Sequence, residues 1–594
     1  MKKYKFFALA FAALALGACS SDDTVVDDGG KGGVLPAGET GYVSLAINLP
    51  TEPGGRAEAF AQGTEAEYAV NDAKLLLFKG ASESTATFAS AYNLDIASAG
   101  FSAATPGQVT TKGRIVQEIT VPSLGESDNL YALVVLNDNG LITVADGSAT
   151  VNNTALSASS TLTAFTETAQ DFTQGGASKL TGSGIFMSNA PLSNAVGSAS
   201  SEAANVSTLA TVDQTKIRSS QAEASGDATP AVTVYVERAV AKVSVTAQSG
   251  EQTVSDAPIA TYTVQGWTLN VTNNKSYLVR NVAPTTSWWA YNVSNNFRFI
   301  GTNPVATNLY RTYWGQDPNY ASSADGDFAT ISGTTPATLT QCGANNYLYC
   351  LENTFNVANM NENVTTAVIV KAKLTLPVGT DTDADGSFYT INDNTSTVYT
   401  TTGITAAIQA KVMEWYDANK STYISSGTVN GTDFDVTLSN ETKDEGGYIT
   451  FTVELPSSVS GITYVDGQDR DKFNAAIASY IEGLTNYKVG YYKDGEAYYA
   501  VKIRHFDNAE TPWTATTGQT TAYPNEDGQA ENKWLGRYGV LRNNWYTVNV
   551  TGISNIGSPS VPSVTTDTDD TTRSYISAEI NVLSWAKRTQ DVDL

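Results

Sequence analysis

The chain has 594 residues, with 60 acidic against 35 basic side chains, a net charge of −25 and one histidine, His505. This acidic balance argues against a nucleic-acid binder, which needs a basic face to displace counterions from phosphates, and a single histidine rules out a histidine-built metal centre. Three cysteines are too few for a four-cysteine zinc site, while 41% hydrophobic residues and 30 tyrosines describe a core-forming chain.

The N-terminus reads as a processing signal. Lys2, Lys3 and Lys5 precede an apolar stretch, Phe6 to Leu16, that is too short to span a bilayer. The stretch ends in Leu16-Gly17-Ala18-Cys19, which resembles a lipobox, and predicts a lipoprotein signal over residues 1–19 with Cys19 acylated. A lone buried cysteine is the alternative. Ser20-Ser21-Asp22-Asp23 resembles a signal that sends lipoproteins to the outer face of the outer membrane. Cys342 and Cys350 then remain, eight apart in an exported chain, and are read as a disulfide closing a small loop, two reduced buried thiols being the other reading.

Residues 20–40 are a polar tether. Val43, Leu45, Ile47 and Leu49 then alternate with small or polar residues, the period of a half-buried strand, and Pro53-Gly54-Gly55-Arg56 follows as an exposed turn. Ala73 to Phe78 and Leu130 to Leu136 read as strands, and residues 150–230, rich in Ser, Thr and Ala, as long loops with short helical pieces. Thr233 to Val245 reads as a strand pair or one bent strand, and a domain boundary is placed near residue 250. Further strands are expected at Tyr262 to Val271, Thr366 to Leu376, Ile449 to Leu455, Gly490 to Tyr499, Tyr498 to Phe506 and Tyr546 to Ile553. Ile404, Ile408, Val412 and Trp415 recur at helical spacing, as do Phe473, Ile477, Tyr480, Ile481 and Leu484. Residues 557–573 read as a linker, and Ile576, Ala578, Ile580 and Val582 alternate in a last strand that runs on to Trp585. The expected fold class is mainly β: two antiparallel sandwiches with helical insertions.

Catalytic signals are weak. No nucleophile elbow or phosphate loop is present, and a histidine-dependent device has only His505, which sits in an alternating strand and reads as a surface or packing residue. Asp381-Thr382-Asp383-Ala384-Asp385-Gly386 matches the opening of a calcium loop, but the twelfth position is Asn392 rather than a bidentate glutamate, so an acidic hairpin turn is preferred. Trp288 and Trp289 suit either sugar stacking or an interdomain brace. No metal, cofactor or catalytic residue is assigned.

The two terminal strands carry the functional reading. If the chain is cut at Arg56 and Val43–Leu49 departs, the first sandwich opens an apolar groove with unpaired backbone groups. The last strand of a second molecule then fills it, and head-to-tail repetition of such a contact gives an open filament. The alternative is that Ile576–Val582 pairs within its own chain.

Several segments resemble the fimbrillins of Bacteroidales type V pili, in particular the branch of minor-fimbrium major subunits. They are Gly41 to Pro50 with Arg56-Ala57, Val236 to Val243, Glu352-Asn353-Thr354, Thr365 to Leu374, Leu541 to Tyr546, and Ser577 to Leu594 with its closing Asp591-Val592-Asp593-Leu594. The resemblance implies transthyretin-like sandwiches over residues 57–250 and 251–556, with residues 20–56 as tether and removable strand and 557–594 as linker and donor strand. It implies a lipidated outer-membrane precursor, cleavage between Arg56 and Ala57 by an Arg-specific protease, and a homopolymer assembled with anchor and tip subunits as a shaft that supports adhesion. A monomeric, surface-exposed glycan-binding lipoprotein that keeps its lipid is the runner-up.

Overall fold

A computed structural model of the chain describes residues 34–49, 64–98, 112–172, 179–193, 206–256, 260–282, 299–302, 310–312, 315–324, 326–331, 333, 335–379, 381–443, 446–505, 536–569 and 576–583. The fold is mainly β, with several sheets and interspersed helices. β1 (Thr40–Asn48), β2 (Ala73–Gly80), β3 (Thr87–Asn93), β4 (Lys112–Thr120), β5 (Asn129–Leu136), β6 (Met187–Asn189), β7 (Ala210–Val212) and β8 (Val232–Arg238) make one sheet. Its order is β3-β2-β5-β6-β8-β1-β4, with β7 added beside β5. Two short helices, α1 (Glu65–Tyr68) and α2 (Gln221–Gly226), accompany it.

Leu130 to Leu136 explains why this sheet carries two cores. Leu130, Ala132, Val134 and Leu136 point to one face, Tyr131, Leu133 and Val135 to the other, and all are buried, so the strand is an unbroken apolar run. The sheet also curls. The Thr120 amide at one outer strand donates to the Tyr92 hydroxyl at the other over 3.1 Å, bringing the two edges together around the inner core.

The chain leaves this sheet at Ala239 and Val240. The Thr233–Val245 run is thus two strands in different sheets, β8 and β9 (Ala241–Ala247). There follow β10 (Gln252–Thr253), β11 (Thr261–Asn270), β12 (Tyr347–Cys350), β13 (Ala367–Thr375), β14 (Phe388–Ile391), β15 (Asp435–Lys443), β16 (Tyr448–Glu454), β17 (Val489–Tyr492), β18 (Glu496–Lys502), β19 (Trp545–Ile553) and β20 (Ile576–Leu583). They form three four-stranded sheets, β12-β9-β19-β20, β10-β11-β13-β18 and β14-β17-β16-β15. The first two close over one core, Val243, Tyr546 and Val548 meeting Trp267, Val370 and Tyr499.

The third sheet is an insertion between the neighbouring strands β13 and β18. It packs on α3 (Thr401–Tyr423) and α4 (Arg470–Glu482) through Ile404, Ile408, Val412, Phe473 and Ile477. On α3 the fully buried fourth position is Tyr416; Trp415 is half-buried and stacks on Tyr480 at 5.7 Å. Leu484 lies beyond the end of α4. The expected strand from Gly490 to Tyr499 is broken into β17 and β18, because Asp494 and Gly495 take φ of +54° and +75° and turn the chain from one sheet to another.

Candidate functional site

The slot occupied by β1 is the most complete of the predicted features. β1 pairs antiparallel with β4 along its whole length, from Thr40 opposite Thr120 to Asn48 opposite Lys112. On its other side it pairs parallel with β8, Leu45 opposite Val232 through Asn48 opposite Tyr235. Val43, Leu45 and Ile47 are fully buried and Leu49 is 2% exposed, all in the inner core with Ile115, Ile119, Val232 and Val234. β1 is the only strand that pairs with β4 among the described residues. Without it β4 loses its whole ladder, and the inner core loses one wall.

The opposite face of β1 is finished with polar detail. The Ala231 amide donates to the buried Ser44 hydroxyl over 3.0 Å, and the Asn48 side-chain amide donates to the Val234 carbonyl over 3.5 Å. Gly41 is required by space, since a Cβ there meets Ile217 at 2.7 Å and Val121 at 2.9 Å. Tyr42 exchanges backbone bonds with Arg218, and Arg218 forks onto Asp227 at 2.9 and 3.0 Å. That guanidinium holds the Asp227 carboxyl below its usual range. Arg114, opposite Ala46 on β4, donates to the Ala224 and Asp227 carbonyls at the end of α2.

Arg56 and Ala57 lie in the stretch 50–63, outside the described residues. Just beyond that stretch the chain is pinned. Glu67 on α1 is 1% exposed, pairs with Lys242 at 2.7 Å, and accepts the Tyr349 hydroxyl at 2.7 Å and the Thr64 amide at 2.6 Å. Burial pushes the Glu67 carboxyl up, but the Lys242 bond and charge and the Tyr349 hydroxyl outweigh it and hold the group below its ordinary value. The Arg238 guanidinium donates to the Glu67 carbonyl at 2.9 Å. Next to this lie the Arg542–Glu352 pair at 3.1 Å, both fully buried, and the Arg280–Glu237 pair. A break within 50–63 therefore separates β1 from a body whose own first residues stay anchored.

Sequence reasoning does not single out this buried ionic cluster as a site. A signal for it exists all the same: Glu237-Arg238 and Lys242 interrupt otherwise apolar strand positions, where a charge is tolerated only when paired.

The C-terminal strand β20 is paired within its own chain, antiparallel to β19, from Ile553 opposite Ile576 to Tyr546 opposite Val582. It sits at the outer edge of its sheet with one neighbour, whereas β1 has two. Residues 557–569, read as a linker, lie against the body. Ser558 exchanges backbone bonds with Tyr498 at 2.9 and 3.1 Å, the Glu362 amide donates to the Asp567 carbonyl at 2.9 Å, and Ser560 is fully buried. Hydroxyls and backbone do the anchoring that the polar composition conceals. The seven peptide steps from Asp569 to Ile576 reach about 25 Å at most.

Cys342 and Cys350 are free thiols, so the expected disulfide is not formed. Cys350 stands opposite Ala241, while the Gly343 amide bonds to the Val245 carbonyl over 2.7 Å. Four strand positions separate those anchor points, about 13 Å, well beyond the roughly 7 Å that a disulfide bridges between Cα atoms. Burial pushes the two thiols up to about 11 and about 12.

His505 is a packing residue, 1% exposed, with Nδ1 at 2.8 Å from the Tyr546 hydroxyl. In the acidic turn Asp385 accepts the Ser387 amide at 2.9 Å and Asp383 accepts the Thr401 amide at 3.0 Å at the start of α3, while Asn392 bonds the Lys488 amide. The turn is thus built by its own carboxylates, and no cluster of three metal-ligating side chains occurs among the described residues. Cys19, Trp288, Trp289 and Trp585 lie outside the described residues.

Residues 490–591, from β17 through β20, match a family model described as "Major fimbrial subunit protein type IV, Fimbrillin, C-terminal". No curated protein sequence matches the chain. Among solved structures, a cell adhesion protein from Bacteroides eggerthii is 13% identical, covering 94% of this chain and 100% of its own, with a TM-score of 0.34. One from Parabacteroides distasonis is 9% identical, covering 93% and 99%, with a TM-score of 0.32. The tip fimbrial protein Mfa3 from Porphyromonas gingivalis, solved with a C-terminal truncation, is 12% identical over 57% of this chain and 83% of its own, with a TM-score of 0.24. Superpositions of this quality do not define a shared fold.

Proposed function

We propose that the chain is the precursor of a shaft subunit of a surface fimbrium, polymerised by strand exchange. It is exported as an outer-membrane lipoprotein through Cys19 and cut between Arg56 and Ala57 by an Arg-specific protease. β1 then leaves, and the C-terminal strand of the next copy enters between β4 and β8. Two transthyretin-like sandwiches form each mature subunit, the second taking in β9 and so starting at Ala241, ahead of the boundary expected near residue 250, with anchor and tip subunits at the filament's ends.

The observation that carries this reading is the position of β1. It is a strand whose apolar face is fully buried, the only strand paired with β4 among the described residues, joined to the body through the stretch that contains Arg56. The match of residues 490–591 to the C-terminal model of a family of fimbrial subunits supports the same reading. So does the edge position of β20, which trades one neighbouring strand for two when it moves. Each of the four apolar side chains that fill the slot contributes about 1.5–3 kcal/mol, so about 6–12 kcal/mol is at stake before ordering costs.

Arg56→Ala tests the proposal. The variant is expected to accumulate as uncut, membrane-anchored precursor without filaments. Filaments in normal yield from that variant would contradict cleavage at this point. A wild-type chain that keeps its lipid and stays monomeric would contradict assembly altogether.

A further inference from the structure

Resting on the exchange reading above, the structure assigns the incoming strand a direction, a register and a charge that selects it. We propose that residues 576–582 of a second copy enter the slot in the same direction and register as β1. Ile576 then replaces Val43, Val582 replaces Leu49, and Glu579 comes to stand opposite Arg114.

Three observations converge on this register. The first is the polar finish of the slot. Val43-Ser44-Leu45-Ala46-Ile47-Asn48-Leu49 and Ile576-Ser577-Ala578-Glu579-Ile580-Asn581-Val582 carry Ser, Ile and Asn at the same three places. In β1 the serine and the asparagine are the residues that satisfy the Ala231 amide and the Val234 carbonyl. An incoming strand in this register brings the same groups to those backbone atoms; shifted by one residue, it brings its apolar face to them instead.

The second observation concerns direction. In the reversed direction the polar pair exchanges places, and Asn581 meets the close-packed Ser44 position, which is fully buried. The third is the charge at the centre. Ala46 is half-buried and directly opposite Arg114. The two Arg114 terminal-nitrogen bonds run to the Ala224 and Asp227 carbonyls, while its Nε has no hydrogen-bond partner among the described residues. In its own chain Glu579 stands opposite Asn549 on β19. Moving to the slot therefore gives Glu579 a cationic cross-strand partner that neither its parked position nor the resident β1 supplies.

The test uses the full chain, cleaved after Arg56. Ser577→Cys combined with Val116→Cys, which faces Ser44, is expected to give an intermolecular disulfide in filaments. Ser577→Cys combined with Lys112→Cys, which faces Asn48, is expected to give none. Cys342 and Cys350, whose thiols burial keeps protonated, do not compete. Cross-linking through Lys112→Cys, or through neither pair while filaments form, overturns the register.

Glu579→Lys places like charges opposite each other and is expected to slow polymerisation roughly fivefold to thirtyfold. Arg114→Glu in the same chain is expected to restore the rate. A rate untouched by Glu579→Lys overturns the charge selection, with Arg114→Met as a second variant should Arg114→Glu fail to fold. Deleting residues 576–594 separates this inference from its premise. If filaments still grow, strand exchange itself fails; if they are lost while the cross-links miss, only the register fails.

Discussion

Truncating Leu45 separates the stability of the precursor from that of the polymer. Leu45 is fully buried in the inner core of the first sheet, opposite Ile115 on β4 and Val232 on β8. Leu45→Ala removes buried methyl groups and leaves a cavity, which costs about 2–5 kcal/mol in cores of this kind. Before cleavage that loss falls wholly on the precursor and is read from urea unfolding of the Arg56→Ala background, which cannot be cut. After cleavage β1 is held as a separate peptide. Its burial then works against an association entropy of about 4–15 kcal/mol, so a loss near 3 kcal/mol releases it about a hundredfold faster. Under the proposed strand exchange the cleaved Leu45→Ala chain is therefore expected to assemble faster than the wild type, while thermal disassembly of the finished filaments is unchanged, because mature subunits would then no longer contain Leu45. Filaments weakened by the same amount as the precursor would refute the reasoning, since they would still hold β1.

Removing residues 576–594 is expected to leave a folded, cleavable, soluble subunit that does not polymerise, checked by circular dichroism and sedimentation; normal filaments would exclude β20 as the donor. Glu67→Gln removes the carboxylate 2.7 Å from the buried Lys242 ammonium, which keeps the Tyr347 and Trp545 rings at 3.9 and 3.8 Å, and is expected to cost at most about 3–5 kcal/mol in urea unfolding. Adding Lys242→Met should recover part of that loss, and no recovery would argue against a direct pair. Burial pushes the Asp317 carboxyl up to about 7 from its ordinary 3.8. The folded state then holds a proton that the unfolded chain releases, so this group's stabilisation is complete below about pH 4 and is lost as pH rises through about 7. Asp317→Asn should flatten the fall in Tm between pH 5 and pH 8, and an unchanged slope would contradict the burial argument.

The terminal strands are legible in the sequence because their pattern is clean. Val43, Leu45, Ile47 and Leu49 alternate without a charged interruption, and the structure buries all four. Period-two patterning says which face is covered, but not what a strand pairs with. Ile576–Val582 reads as a strand seeking another molecule, with pairing in its own chain as the alternative, and in the single chain it rests on β19. The crossover at Ala239-Val240 is legible only as a choice between a strand pair and one bent strand, because Ala239 and Val240 are themselves apolar and no turn residue punctuates the change of sheet. Asp494-Gly495 does carry a turn signal, outweighed by the apolar tyrosines on either side. The linker misleads for a different reason. Its Ser, Thr, Pro and Asp content describes side chains, while the segment is held largely by backbone bonds to Tyr498, Glu362 and Met360. The cysteine reading fails because sequence separation along a loop says nothing of the four-position offset between their partners on β9.

Peptide mapping of purified filaments tests the central claim most directly. The account predicts subunits that begin at Ala57 and retain Ile576–Leu583, with residues 40–48 absent from the assembled polymer. Filaments that contain residues 40–48 in equal amount to the rest of the chain would contradict it, because β1 would still fill the slot the next subunit needs.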